Sequence, residues 1–450
     1  MTSEIRTGRI VLTTFGSLGD LHPYLALGLG LKKRGHAPVI ATSPTYRERV
    51  EALGLEFAPV RPDLPEWKSN QEVMQQVMNL RTGSEYVVRQ MIMPALRDSY
   101  DDTLAAARGA DVLVSHPLTF GAPLAAERLG LPWVSSVLAP LSFFSAHDPP
   151  VLPPAPWMRH ARCFGAWLWR PLFRLARRSC RSWSVPYHRL RADLGFPPTA
   201  ADPLFEGQHS PHLVLAMFSS LFAERQPDWP PATRVTGFAF HDRDLGETGL
   251  SPELAHFVQS GTPPLVFTLG SAAVMDPGSF FAESARAAQQ LGRRAVLLTG
   301  KDQPVPAEVL SDQVAAFPYA PFSELFLLAA AIVHQGGAGT TGQAMQSGRP
   351  MLVMPYAHDQ PDNADRVVRL GIARTISRRR YRSNRVAAEL RQLLENPEYE
   401  RRALQVGNHV AREEGVTQAC VALEEVLADP SLRSSASTSD PAPLPVAGGR

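Results

Sequence analysis

Two runs of short apolar strands, each breaking at a glycine turn and continuing as a helix, leave this chain few folds to adopt. Residues 10–14 are apolar and β-branched, and Gly16-Ser17-Leu18-Gly19-Asp20 is a turn. A helix is predicted from about Leu21 to Arg34, with Pro23 in its first turn, Lys32-Lys33-Arg34 in its last and Gly35 to stop it. Strands at 39–42, 110–115 and 133–138 and a helix at 121–129 continue the alternation. The pattern restarts after residue 260, with strands at 265–269, 295–299, 330–334 and 351–354 and helices between them. Apolar strands joined by helices predict parallel sheets covered on both faces. The fold class expected is therefore α/β: two Rossmann-like doubly wound domains facing a central cleft. Residues 1–224 form the first domain and 225–249 a Pro-rich, charged linker. Residues 250–430 form the second domain, and 431–450, which lack apolar periodicity, a disordered tail.

Composition narrows what such a protein can do. At 450 residues, two domains are the natural expectation. Forty-five Lys and Arg against 43 Asp and Glu argue against wholesale nucleic-acid binding. Three cysteines (Cys163, Cys180, Cys420) make neither a disulfide framework nor a four-cysteine zinc site. No uncharged apolar stretch reaches the 18 residues of a membrane span, and the N-terminus lacks the apolar region of a signal peptide. The expected location is cytoplasmic.

The sharpest local signal is His334-Gln335-Gly336-Gly337-Ala338-Gly339-Thr340-Thr341, at a strand-to-helix junction. Glycines let backbone N–H groups approach a ligand, the helix N-terminus adds about half a positive charge, and His334 and the threonines add donors. The pattern describes an anion cradle; a tight turn that needs glycine for sterics alone fits the same residues. After the next strand, Pro355-Tyr356-Ala357-His358-Asp359-Gln360-Pro361-Asp362-Asn363 offers polar side chains to hydroxyl groups, or a helix N-cap at Asp359. Upstream, Tyr319 lies between Pro318 and Pro321, suited to stacking on a planar ring or to a hydrophobic staple.

In this order and spacing the segments GSLGDLHPYLALGLGLKKRGH, YAPFSELF, HQGGAGTT and PYAHDQPDNADRVVRLG resemble the UDP-glycosyltransferase superfamily, with its two-domain GT-B fold. Bacterial rhamnosyltransferase-like and sterol glucosyltransferase-like members are the most similar branch. The resemblance implies that Tyr319 stacks on the donor base. It implies that His334, Gly336, Gly337, Ala338, Gly339, Thr340 and Thr341, with Gly270 and Ser271, hold the diphosphate, and that Asp359 and Gln360 bind the donor sugar. Two positions depart from plant-type members. Gly342 stands where they carry a ribose-binding Glu, and Asp20 where they carry the catalytic His.

Asp20 is thus the candidate general base, with its pKa expected to be raised by burial; capping the following helix is the competing role. His116, ending another strand, is the candidate partner of Asp20, and a plain loop position is the alternative. His22 is read as structural. No metal or other cofactor is expected, because Asp242-Arg243-Asp244 lies in the linker as a solvated charge run.

Residues 157–191 hold nine arginines and no Asp or Glu. From Arg170 onward, Arg170, Arg174, Arg177, Arg178 and Arg181 share one side of a helical wheel, opposite Leu168, Leu172, Leu175 and Trp183. This basic insert is expected either to pack its apolar side on the first domain or to meet an anionic membrane surface peripherally. With the preceding loop, where Phe143, Phe144 and His147 are the candidate acceptor contacts, it is expected to wall an apolar acceptor pocket. The function implied is inverting, metal-independent transfer of a hexosyl group from a UDP- or dTDP-sugar to a hydroxyl of a hydrophobic small molecule. A nucleotide-sugar epimerase on the same fold, or a non-catalytic sugar-nucleotide-binding protein, are the other readings.

Overall fold

The computed structural model describes residues 7–63, 71–242, 249–300 and 305–432; the tail expected beyond residue 432 and the linker residues Arg243 and Asp244 lie outside the described residues. The first sheet is built from β1 (Arg9–Thr13), β2 (Ala37–Thr42), β3 (Glu56–Pro59), β4 (Val112–Ser115), β5 (Trp133–Val137), β6 (Val214–Ala216) and β7 (Thr233–Val235), in the order β3-β2-β1-β4-β5-β6-β7. The second contains β8 (Leu265–Thr268), β9 (Ala295–Leu298), β10 (Val314–Phe317), β11 (Ala331–His334), β12 (Met351–Val353) and β13 (Ala373–Thr375), ordered β10-β9-β8-β11-β12-β13. Every pairing is parallel, with Ile10 opposite both Pro38 and Val112, and Val266 opposite both Val296 and Ile332. The central strands of both sheets are apolar and fully buried, as strands covered on both faces must be. This is the doubly wound pair that the alternation predicts.

Strand order reverses between β1 and β4 in the first sheet and between β8 and β11 in the second. At such a switch point the two flanking connections leave in opposite directions and open a crevice at the strands' carboxyl ends. Asp20 and His116 follow β1 and β4; Gly270 and Gly336 follow β8 and β11. Each group of candidate residues therefore sits on a switch point.

Several boundaries move. Strand β7 belongs to the first sheet although residues 225–249 were expected to link the domains, because Val214–Ala216 is an open edge that Thr233–Val235 pairs with. The helix Gly415–Ala428 leaves the second domain and buries Ala419, Cys420, Leu423, Val426 and Leu427 in the first domain's core. Arg34 and His36 both meet Glu424 there. In return, Met74, Val77, Met78 and Met91, on the helical segment after β3, pack into the second domain's core. A third cluster joins Phe218, Phe222 and Trp229 to Phe238, Val266 and Ile332, so the halves share apolar surface beneath the cleft.

The insert folds as a helix, Ala166–Cys180, with Pro171 inside it. Its buried edge is Trp169 and Phe173, packed with Ala146 and Met158, while Leu172 and Leu175 are exposed. The expectation that the Leu172 and Leu175 side packs on the first domain is thus corrected, because Trp169 and Phe173 take the buried position instead. Among the described residues no helix is long and apolar enough to cross a membrane.

Candidate active site

At the first switch point the helix Leu18–Lys33 begins one turn earlier than expected, with Ser17 as N-cap. Ser17 Oγ accepts from Gly19 N at 3.2 Å, and Asp20 Oδ2 accepts from Ser17 N at 2.7 Å and from Ser17 Oγ at 3.1 Å. This reciprocal capping box fixes the carboxylate. Gly16, at φ +134°, is required here, since a Cβ would collide with the Asp20 carboxylate. The other oxygen, Oδ1, lies 3.5 Å from His116 Nε2. His116 Nδ1 accepts from Leu118 N at 3.2 Å, which assigns the ring proton to Nε2, pointing at Asp20. The dyad expected from sequence is thus brought together, and the competing capping role is also real. Asp20, 34% exposed, is its accessible member; His116 is 6% exposed behind it.

The expected raised pKa of Asp20 is corrected. Burial does push it up, but hydrogen bonds and charge from His116, together with the N–H and hydroxyl of Ser17, outweigh it and hold the carboxyl below its ordinary value. Asp20 is ionised across the neutral range.

At the second switch point Gly270, at φ +64°, sits against the side chain of Gln335, and Ser271 follows it in the short helix Gly270–Ala273. His334 is fully buried. Its Nδ1 accepts from Gly336 N at 3.0 Å and its Nε2 faces Met351 Sδ at 3.4 Å. Burial pushes its pKa down to about 3, so the ring is neutral. The expected donation from His334 to a phosphate is corrected: the imidazole braces the glycine turn from below. Gly337 caps the helix Ala338–Gln346 with no side-chain hydrogen bond, and open space surrounds Gly339. The N–H groups of Ala338, Gly339 and Thr340, the first three of the helix, are left for a ligand. Thr340 lies beside this opening, whereas Thr341 is fully buried with an unpartnered hydroxyl and is not an outward donor.

The ring of Tyr319 is half-buried and its hydroxyl donates to the carbonyl of Asp242. Asp242 is not a solvated charge; its carboxylate accepts from Ser323 N at 2.6 Å and Ser323 Oγ at 3.1 Å, where a helix starts. The position of the missing ribose carboxylate, Gly342, is filled from outside: a Cβ there would lie 2.8 Å from the ring of Phe238.

Asp359 precedes the helix Gln360–Arg369 without capping it; its Oδ2 accepts from Asn363 Nδ2 at 2.6 Å. Gln360 is buried, and its Oε1 accepts from Tyr356 N at 2.8 Å and Ala357 N at 3.3 Å, so only its Nε2 end remains for a sugar. Burial, with the charges of Asp20 and Asp362, raises the pKa of Asp359 to about 7 against the lowering hydrogen bond from Asn363. His358, at φ +56°, meets Ser84 Oγ at 3.1 Å and also feels Asp20. The helix Leu18–Lys33 also packs on the helices that begin at Gly270 and Ala338, so the two switch points lie on one cleft, with the charge of Asp20 felt at Asp359.

The acceptor contacts fare differently. Phe143 is buried and stacked on Trp229 at 4.0 Å and His209 at 5.3 Å, because the turn Pro140–Phe143 rolls it into the core. It is corrected from a pocket residue to a core residue. Phe144, half-buried at φ +45°, packs edge-on against Phe173 and Phe205, and exposed His147 contacts Arg170 at 3.2 Å. What sequence reasoning missed is the charge network beside them. Asp362 accepts from Val151 N at 2.9 Å, Arg162 at 3.1 Å and Arg366 at 2.7 Å, and Arg366 also meets Asp148 at 2.6 Å. It ties the 141–165 loop of the first domain to the helix after Asp359. The i,i+4 spacing of Asp362 and Arg366 was the available signal. Among the described residues no three His, Cys, Asp or Glu side chains converge to hold a metal ion.

Comparison with known proteins shows the family and the fold. Residues 293–437 match the erythromycin biosynthesis protein CIII-like C-terminal domain, and residues 10–142 the glycosyltransferase family 28 N-terminal domain. The O-mycaminosyltylonolide 6-deoxyallosyltransferase of Streptomyces fradiae is 32% identical over 93% of this chain and 97% of its own. A sterol 3-beta-glucosyltransferase of Gibberella zeae is 27% identical over 91% of this chain and 29% of its own. The crystal structure of the glycosyltransferase VinC in complex with dTDP shares the fold, with a TM-score of 0.65 at 20% identity over 93% of this chain and 99% of that one. With two facing switch points, one an open helix end and the other an Asp–His pair, the chain belongs to the GT-B glycosyltransferases of the UDP-glycosyltransferase superfamily.

Proposed function

We propose that this glycosyltransferase moves a hexosyl group, with inversion, from a UDP- or dTDP-sugar to a hydroxyl of a hydrophobic small molecule. The observation that carries the reading is the opposition of Asp20 to Asp359 and the open helix end at Ala338. In-line displacement needs the base on one side of the anomeric carbon and the leaving diphosphate on the other. Asp20 accepts the acceptor's proton at Oδ1 as its oxygen attacks. His116 Nε2–H steadies the carboxylate, and the Ser17 cap holds its other oxygen. Because Asp20 is a weak base, it takes the proton late, when bond formation has already made the hydroxyl acidic. The N–H groups of Ala338, Gly339 and Thr340, with Gly270 and Ser271, meet the diphosphate charge that grows as the bond breaks; the reading calls for no resident metal or cofactor. Tyr319 stacks on the base, and Asp359 and Gln360 Nε2 bind sugar hydroxyls.

The test is Asp20→Asn, which keeps size and an acceptor for the cap. Donor binding should persist, with the fold intact and the melting temperature lowered only by the lost charge-assisted contacts to His116 and Ser17, while kcat falls by about 10²–10⁴. Full activity in this variant would remove Asp20 as base. A bound donor at 100 times Kd should add about 2.7 kcal/mol of stability, so thermal shifts across UDP- and dTDP-sugars identify the donor. Turnover of donor with no acceptor present would favour the epimerase reading instead.

A further inference from the structure

We propose that the helix Ala166–Cys180 and the turn leading into it seat this protein on the surface of an anionic lipid bilayer. The helix is held to the molecule by one edge, buried Trp169 and Phe173 with half-buried Ala176 and Arg177 beside them, and the side carrying Trp167, Arg174, Leu175 and Arg178 faces outward. That outward face is apolar where solvated helices are polar. Trp167 is 74% exposed and Leu175 66%, and Trp157 and Phe164 in the preceding turn are more than half exposed. Arginines interleave with them: at about 100° per residue, Arg174, Trp167 and Arg178 fall within about 40° of one another and Leu175 about 60° beyond.

The charges are uncompensated. Among the described residues, Arg174, Arg178 and Arg181 have no carboxylate partner, and Arg170 meets only His147. Arg177, on the inner flank, is paired with Glu206, so the pairing that exists stops short of the outward face. Aromatic and leucine side chains set among arginines on a convex helix, not in a groove, match the boundary between headgroups and acyl chains. There the rings partition into the interface and each arginine meets anionic headgroups. A second copy of the chain is a poor occupant, because this face against itself sets arginine against arginine.

The orientation that follows is specific. The 141–165 loop beneath the helix is tied through Asp148 and Arg162 to Asp362 and Arg366, beside Asp359. Seating the helix on lipid therefore turns the rim of the cleft toward the bilayer. The docking itself does not depend on the transfer chemistry proposed above.

Co-sedimentation of the full chain with phosphatidylcholine vesicles, with and without phosphatidylglycerol, tests the assignment. Binding is expected only with phosphatidylglycerol, at about 0.01 M salt where charges are felt over about 30 Å, and release at about 1 M where they are felt over about 3 Å. Two double variants separate the contributions: Arg174→Glu with Arg178→Glu, and Trp167→Ser with Leu175→Ser. Each should lower vesicle partitioning by about tenfold or more, with melting temperature unchanged because neither pair is buried. Absence of lipid-dependent sedimentation at low salt overturns the proposal. So does an apolar double variant that binds like the parent, which would make the face a general anion patch. A dimer that both variants dissolve would assign the face to a second copy and overturn it equally.

Discussion

Asp20 and Asp359 are two carboxylates whose surroundings push them apart, one below and one above the usual range. The physical difference is donors. Asp20 receives the Ser17 N–H and hydroxyl and lies beside His116; Asp359 receives one amide hydrogen and sits near two other carboxylates. The consequences for stability have opposite signs in different windows. Asp359, raised to about 7, favours the folded state while protonated, and that contribution is lost as pH rises from about 4 through 7. Asp20, lowered, contributes stability above its ordinary value and loses it as pH falls through the depressed one. Asp359→Asn should therefore remove a decline in melting temperature between pH 4 and 7 and leave behaviour at lower pH unchanged; a pH series of melting curves checks it. The pairing of Asp20 with His116 was legible in the sequence because both follow strands. The depressed pKa was not, since it depends on how closely His116 approaches the carboxylate and on the Ser17 cap that an earlier helix start creates.

At the scale of the element, the glycine turn after β11 works because a buried histidine holds it. His334→Ala removes the acceptor of Gly336 N–H and leaves a cavity, so it should cost on the order of 1–3 kcal/mol of stability as well as raise the KM for donor. A variant as stable as the parent would show that the turn holds without the ring. The 225–249 segment acts on Tyr319 in a comparable way, through the Asp242 contacts to Tyr319 and Ser323. Tyr319→Ala should weaken donor binding by about 1–3 kcal/mol if the ring stacks on the base, whereas Tyr319→Phe, losing only the hydroxyl contact, should keep most of that affinity. Equal losses in the two would assign Tyr319 to holding the linker instead. The elements marked by clear apolar runs were read correctly: the helix Gly121–Leu129 and strands β4, β5, β8, β9, β11 and β12 fall within a residue or two of expectation. Strands β3, β7 and β13 escaped notice because Glu56, Thr233, Arg234, Arg374 and Thr375 interrupt their apolar runs, and β6 and β10 escaped with them. Phe143 was misassigned for a related reason: hydrophobicity alone does not distinguish a ring in a pocket from a ring under one.

For the whole molecule, the chain crosses between its halves more than once. The helix Gly415–Ala428 packs so closely on the first domain that a Cβ at Gly30 would lie 2.5 Å from Val416 Cγ1. Its buried Leu423, Val426 and Leu427 are worth about 1.5–3 kcal/mol each, a large share of a domain's usual 5–15 kcal/mol. Deleting residues 415–432 should therefore lower the melting temperature sharply and strip hydrogen-exchange protection from the helix Leu18–Lys33. The strands of the second sheet should keep their protection; uniform loss across both sheets would show that the halves do not fold as separable units. The same helix bears on how the protein is made. Domains usually fold in the order they leave the ribosome, at about 5–20 residues per second. Here the first domain emerges with a gap in its core that is filled only when the helix Gly415–Ala428 has been translated. The second domain, encoded later, is finished sooner, and Asp20, near the beginning of the chain, waits for the helix Gly415–Ala428 to complete the core beneath it.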